Sequence, residues 1–321
     1  MRASDLLSRI EIIGIPTRTN FRGVQIRELA LIKGAKRWGE FGPFADYSLE
    51  RDSLWLKATL EMANQDFPPP RHHQIPVNAT LPEVPLDQVG EVLSWFPGSQ
   101  TVKVKIGNAD DEERISEVLQ IIPDARLRLD ANGLFTIAQA EEFLTRLYNK
   151  YGHQIEYVEQ PCASLAENAA VQLPIPIAID ENLRLGDDIS EINSVADIVV
   201  VKVAPVGGIT RALSIIDRLD KPVVISSALE SSVGMVAGIA LAAHLPQEII
   251  CGLGTLALLA GDVAVNPLLP NDGMVAVREV EVSEELIERY RLPQEQVSNW
   301  HNRIDSALQN LEIQQLREGS L

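Results

Sequence analysis

Six charged side chains recur along this chain at a regular interval: Lys103 and Lys105, then Asp130, Glu159, Asp180 and Lys202. From Lys105 onward the gaps are 25, 29, 21 and 22 residues, each close to the length of one strand plus one crossover helix. Three carboxylates brought together suit a hard divalent cation. Mg²⁺ takes oxygen ligands in octahedral geometry and keeps positions for water or substrate oxygens. Three buried carboxylates without such a partner would be very costly. Each alone is explicable as a helix N-cap or a strand-end ion pair. Three in series, flanked by lysines, point to one shared site. An ammonium group held near another in a partly dry site loses its proton more readily and works as a base near neutrality. The residues alone therefore imply abstraction of a proton next to a carboxylate. The metal would stabilise the enediolate, and lysines on one or both faces would move the proton.

The elements that must position these groups are also readable. In "TVKVKIG" (101–107) Val102, Val104 and Ile106 point to one side and Lys103 and Lys105 to the other, because strand side chains alternate. Strands are expected at 75–81, 101–106, 126–130, 155–159, 176–180, 197–203, 222–227 and 248–252. Between them "DDEERISEVLQII", "TIAQAEEFLTRLYNK" and "ITRALSIIDRL" read as helices. Eight strands alternating with helices predict parallel pairing and a closed α/β barrel. In such a barrel the active site lies at the C-terminal ends of the strands, where the charged series falls. An edge strand with solvated lysines would also explain "KVK", but a closed barrel has no edge. A doubly wound open sheet is the alternative fold, yet no glycine-rich phosphate loop follows the first strand, so nothing supports a dinucleotide site.

The first 70 residues differ. "IEIIGIPT", "GVQIRELALIKG" and "RWGEFGPF" read as a small antiparallel sheet, 48–65 as an amphipathic helix and "FPPPRHH" (67–73) as a linker. The tail, 283–317, is again polar and helix-like. The expected organisation is a capping domain of residues 1–72 with the C-terminal segment 260–321, and a barrel of residues 73–259 carrying the chemistry.

Composition narrows the partners. The chain has 321 residues, 45% of them hydrophobic, and a net charge of −17. No basic footprint for nucleic acid is present, and an anionic membrane would repel the protein. A small anionic molecule remains possible where positive charge is gathered locally. No stretch approaches about 18 consecutive apolar residues, and the start lacks a signal-like apolar run, so a soluble cytoplasmic protein is expected. Cys162 and Cys251 lack metal-ligand spacing and read as buried free thiols. Oligomeric state is not legible.

The motifs "KVKIG", "RLDANG", "VEQP", "IAIDENL", "VVVKVAPVGG" and "ISSALESSVGM", in this order and spacing, resemble the muconate-lactonising branch of the enolase superfamily. The resemblance spans roughly residues 75–260 and, more weakly, the cap. It implies a modified TIM barrel of the (β/α)7β type with an α+β cap built from both termini. Position by position, it implies Asp130, Glu159 and Asp180 as ligands of one Mg²⁺ (with Mn²⁺ able to substitute), Lys105 as the base and Lys202 as the lysine of the other face. Lys103 and Asn132 match supporting positions. The histidine–aspartate dyad and the lone-lysine arrangement of sister branches are absent.

Within the branch, the compact cap and the small polar stretch "SSALESSVGM" favour a dehydratase, and "CGLGT" lacks the paired aspartates with which epimerases hold a substrate amine. The implied reaction is syn-dehydration of 2-succinyl-6-hydroxy-2,4-cyclohexadiene-1-carboxylate in menaquinone biosynthesis. An N-acylamino acid racemase or related epimerase is the alternative, and a catalytically silent scaffold barrel is disfavoured by the complete charged series. Candidate substrate contacts are Arg18, Gly207, Gly208, Ser226, Ser227 and Ser231. For the glycines the competing reading is a tight turn, and for the serines helix capping. Arg128 either orients a ligand or makes a buried salt bridge deeper in the barrel. Glu230 is expected to buttress a neighbouring lysine.

Overall fold

A computed structural model describes residues 10–21 and 23–318. Residues 1–9, 22 and 319–321, all in the expected cap, lie outside the described residues.

The chain opens with an antiparallel sheet of β1 (Ile10–Phe21), β2 (Val24–Lys33) and β3 (Trp38–Phe41). The β1–β2 ladder runs in register from Ile10↔Ile32 to Pro16↔Ile26 and then shifts before Phe21↔Val24. Pro16 has no N–H for a ladder, and the break falls beside it. The helix Leu49–Asn64 follows, with Glu50 and Asp52 in its first turn, where carboxylates favour the helix dipole. It buries Trp55, Leu56, Thr59, Met62 and Ala63, the three-and-four spacing of one helical face. Ile12, Ala30, Ile32, Phe41, Trp55 and Leu56 share a core with Trp300, Ile304, Ala307 and Leu308 of the helix Gln294–Glu318, so both ends of the chain meet in this layer. Arg303 reaches across to Asp52 at 2.5 and 2.7 Å.

Next come β4 (Gln74–Pro76), β5 (Ala79–Leu81), β6 (Thr101–Lys105), β7 (Arg126–Asp130), β8 (Ile155–Glu159), β9 (Ile177–Ile179), β10 (Ile198–Lys202) and β11 (Val223–Ser226). From β5 to β11 the strands form one parallel sheet in chain order, with a helix after each. The expected strand 75–81 is therefore two. β4 stops at Pro76 and pairs antiparallel with β12 (Met274–Ala276), and only β5 enters the barrel. The expected eighth strand, 248–252, is reduced to two parallel bridges, Val77↔Cys251 and Ser226↔Gly252. These still close the ring: Cys251 N donates to Pro76 O at 2.8 Å, and Gly252 N to Ile225 O at 2.8 Å. The architecture is α/β, of the (β/α)7β kind, with an antiparallel sheet as cap.

Alternation sorts the strand residues as expected. Val102, Val104, Leu127, Leu129, Val199, Val201 and Ile225 belong to the main core beneath the helices. Tyr157, Ala178, Val200 and Val224 cluster on the opposite face, inside the barrel. Among the described residues no helix is long and apolar enough to cross a membrane.

Candidate active site

Lys105, Asp130, Glu159 and Lys202 each end their strand, and Asp180 is the first residue past β9. Register brings them level: Lys105 lies opposite Asp130 and Asp130 opposite Glu159. Three strands separate β6 from β10. With the bridged segment as the eighth stave, the strands of Lys105 and Lys202 stand on opposite sides of the ring, and the carboxylates line the arc between them.

The contacts are tight. Lys103 Nζ lies 2.8 Å from Asp130 Oδ2 and 2.7 Å from Glu159 Oε1. Lys105 Nζ donates to Asp130 Oδ2 at 2.5 Å and to Asn132 Oδ1 at 2.7 Å, and Lys202 Nζ to Asp180 Oδ2 at 2.5 Å. Asn132 adopts the left-handed conformation, φ 47°, which asparagine tolerates better than most residues. Its Nδ2 donates to Glu181 Oε1 at 3.1 Å, which fixes the amide that holds Lys105.

All three carboxylates are buried, and burial alone would push each pKa up. For Asp130 the ammonium groups of Lys103 and Lys105 outweigh burial and hold it well below the usual carboxylate range. Lys202 and Arg184 do the same for Asp180, at about 2. Glu159 goes the other way, to about 7, through burial first and the negative charge of Asp130 second. Lys103 is the converse of the expected depressed lysine: burial lowers its pKa, but Asp130 and Glu159 more than compensate, and it is held charged.

Among the described residues no three His, Cys, Asp or Glu side chains stand ready to hold a metal ion as they are, since lysine ammonium groups lie against the carboxylates. The residues nevertheless fit a hard cation. Glu159 Oε2 is buried with no hydrogen-bond partner, and an orphaned buried carboxylate oxygen is rare in a settled structure. Beside two further carboxylates, it is the oxygen-rich set that Mg²⁺ prefers.

A small cavity of about 30 Å³ opens above these groups. Lys103, Lys105, Arg184, Lys202, Thr80, Ser226, Ser227 and Thr255 supply polar walls, and Phe21, Phe44 and Tyr47 of the cap cover it. A larger groove of about 490 Å³ between the cap hairpin and the C-terminal helix takes no barrel carboxylate into its walls, so size does not mark the chemistry here.

Of the residues expected from sequence, the structure brings together Lys103, Lys105, Asp130, Asn132, Glu159, Asp180, Lys202, Ser226 and Ser227. Six others are placed elsewhere. Arg18 is exposed, its guanidinium 5.0 Å from the Trp95 ring centre. Gly207 and Gly208, at φ 100° and 114°, form the turn into the helix Ile209–Ile216, and a Cβ on Gly208 would lie 2.4 Å from Glu61 Oε2. Ser231 caps the helix Ser232–His244, accepting from Val233 N, and donates to Glu40. Arg128 shares the strand face of Asp130 but sits two residues deeper. There it bonds Glu156 at 2.7 Å, Asn78 at 3.1 Å and Ile250 O at 2.8 Å, the buried salt bridge rather than a ligand contact. Glu230 accepts from Ala228 N at 2.6 Å instead of from a lysine.

Arg184, Tyr47 and Gln160 join the site without having been expected from the sequence. Gln160 accepts from Asp180 N at 3.3 Å and so steadies the turn carrying that carboxylate. Arg184 was findable, because four residues after Asp180 in a helical run is the same face one turn on. Tyr47 had no local signal.

Residues 92–281 match the enolase C-terminal domain-like family and residues 12–63 the enolase N-terminal domain-like family. The chain belongs to the enolase superfamily, as its motifs led one to expect. Its similar curated relatives include a protein of Mycobacterium tuberculosis, 41% identical over 309 residues and 93% of each chain, and one of Mycobacterium ulcerans, 43% identical over 286 residues and 86% of each chain. Both carry the name o-succinylbenzoate synthase. Among solved structures, muconate lactonizing enzyme from Pseudomonas fluorescens, complexed with muconolactone, superposes with a TM-score of 0.73 at 19% identity, covering 88% of this chain and 98% of that one. That likeness establishes the fold.

Proposed function

We propose that this chain is an o-succinylbenzoate synthase, a Mg²⁺-dependent lyase that removes water from 2-succinyl-6-hydroxy-2,4-cyclohexadiene-1-carboxylate in menaquinone biosynthesis. One observation carries the reading: two lysines stand on opposite sides of a buried three-carboxylate arc, in a chain 41–43% identical over most of its length to proteins of that name.

Asp130, Glu159 and Asp180 would hold the cation, with Asn132 and Gln160 fixing the loops that carry them. When bound, it supplies Lewis-acid charge beside the ring carboxylate. Lys105 takes the proton α to that carboxylate. The C–H electron pair becomes a ring double bond, the C–O bond breaks on the same face, and the ammonium of Lys105 returns its proton to the leaving hydroxide as water. Lys202, on the far face, keeps its charge and stabilises the anionic character that develops on the carboxylate. The new ring is aromatic, so the catalyst need only lower the barrier to deprotonation.

The test is hydrogen exchange with the cyclohexadiene substrate in D₂O. Lys105→Ala should abolish exchange at the α-carbon and turnover together. Lys202→Arg should keep some turnover because a cation remains, at a loss on the order of 10²-fold. A dead Lys202→Arg beside a Lys105→Arg that still dehydrates would put the base on the wrong face. A wild type that racemises N-acylamino acids and leaves the cyclohexadiene untouched would establish the epimerase instead.

A further inference from the structure

The cavity holds one cationic side chain that the proton chemistry does not use. Arg184 lines it together with Lys105, Lys202 and Tyr47. It is nearly buried, 9% of its side chain being exposed. Its Nη1 donates to Tyr47 Oη at 3.0 Å and its Nη2 to Glu181 Oε1 at 2.8 Å. Its Nε is buried and has no hydrogen-bond partner, Asp180 Oδ1 lying 3.7 Å away. A guanidinium carries five N–H donors, and these two bonds leave several free beside a cavity. Burying such a group without acceptors is costly, unless an acceptor arrives with the ligand.

The guanidinium itself says what that acceptor is: a planar group that stays protonated pairs best with an anion, and a carboxylate matches its forked donors. The residue lies on the helix after β9, and its bond to Tyr47 ties it to the cap. It is therefore in a position to read a chain extending from the ring.

We propose that Arg184, held by Tyr47 of the cap, is the specificity residue that binds the second carboxylate, the one at the end of the succinyl chain. Two-point pairing through its terminal nitrogens is a geometry that arginine offers a carboxylate and lysine does not. This inference rests on the dehydratase reading.

The experiment compares two ligands on the Mg²⁺-loaded protein by calorimetry: o-succinylbenzoate, and its analogue in which the chain carboxylate is a primary amide. Wild type should bind the diacid about 10- to 100-fold more tightly than the amide, the scale of one charge-assisted two-point contact. In Arg184→Gln that ratio should shrink to within about threefold, while Mg²⁺ affinity measured without ligand does not fall below wild type. A role confined to propping Asp180 would instead lower Mg²⁺ affinity and weaken both ligands alike, and that pattern overturns the proposal. An Arg184→Gln ratio equal to wild type overturns it as well. Should the variant not fold, wild type alone decides: equal affinity for diacid and amide means no anchor exists. Wild type that dehydrates the substrate yet ignores the chain carboxylate refutes the anchor alone. Wild type that neither dehydrates it nor binds the product refutes the dehydratase reading beneath it.

Discussion

Glu40 should make the stability of this protein fall as pH rises. It sits at the seam between cap and barrel, on β3, 1% exposed. Its carboxylate accepts from Ser231 N and Gly234 N, each at 3.2 Å, and from the Ser231 hydroxyl. These donors lie at the N-terminus of the helix Ser232–His244, where an anion is favoured. Burial nevertheless dominates. Together with the nearby charges of Glu230 and Asp262, and against Ser231 and Arg27, it raises Glu40 from 4.5 to about 8. Between those two values the folded protein keeps a proton that the unfolded chain has released. The stabilisation is thus fully present below pH 4.5 and is lost as pH rises through about 8. The displacement is about 3.5 units, and at ~1.4 kcal/mol per unit the loss is on the order of 3–5 kcal/mol. Glu40→Gln cannot ionise. At pH 5 it should cost about 1–2 kcal/mol, because its amide N–H₂ faces backbone donors. By pH 8.5 the variant should have gained several kcal/mol relative to wild type. Urea unfolding of both proteins at pH 5, 6.5 and 8.5 checks this, with the difference between them cancelling every other titrating group. A difference that stays flat across that range would show that Glu40 is ionised throughout, and that Arg27 and the helix terminus outweigh burial.

Two further expectations separate the carboxylate arc from the layer beneath it. Asp180→Ala should leave a folded barrel with Mg²⁺ affinity lowered by ~10²-fold or more in calorimetry, and unchanged binding in alanine variants of Asp130, Glu159 and Asp180 alike would remove the metal assignment. Arg128→Met should destabilise the fold by about 3 kcal/mol, by stranding Glu156 and Asn78, with Mg²⁺ affinity close to wild type. A loss of Mg²⁺ binding that matches Asp180→Ala would show that the two layers act as one.

The chemistry was legible because it obeys local rules. A strand's two-residue alternation fixes which face Lys103 and Lys105 share, and the βα period fixes that Asp130, Glu159, Asp180 and Lys202 come level with them. Depth was less legible: Arg128 lies on the correct face, and nothing in "RLRLD" says that two residues, about 7 Å of strand, remove it from the cavity. Nor did "SSALESS" separate wall from cap. Ser226 and Ser227 line the cavity and Ser231 starts a helix, which the apolar run after Ser231 could have signalled. The expected strand 75–81 is interrupted at Pro76 and Asn78. Asn78 Nδ2 bonds Ala79 O at 2.9 Å, while the ladder on either side goes to different partners.

What escaped the sequence altogether is the contribution of the cap, and the reason is contact distance along the chain. Tyr47 meets Arg184 across 137 residues, and Arg27 Nε donates to Leu229 O at 2.9 Å across 202. No periodicity links such pairs. They exist only once the cap sheet has docked over the turn after β11. That turn is itself held in an unusual backbone state, with Leu229 at φ 63°, a conformation disfavoured for leucine. The backbone carbonyl at that strained residue is one that Arg27 secures, so the cap stabilises the barrel loop carrying Ser226 and Ser227 as well as covering the site. The division of labour follows. Strand-borne groups, set by short-range rules, place the carboxylate arc and the two lysines. On the proposed function, side chains from the cap, set by long-range docking, would decide which carboxylate-bearing molecule can lie against them. A substitution at Tyr47 or Arg27 should therefore alter substrate choice while leaving the strand-end lysines and carboxylates where they are.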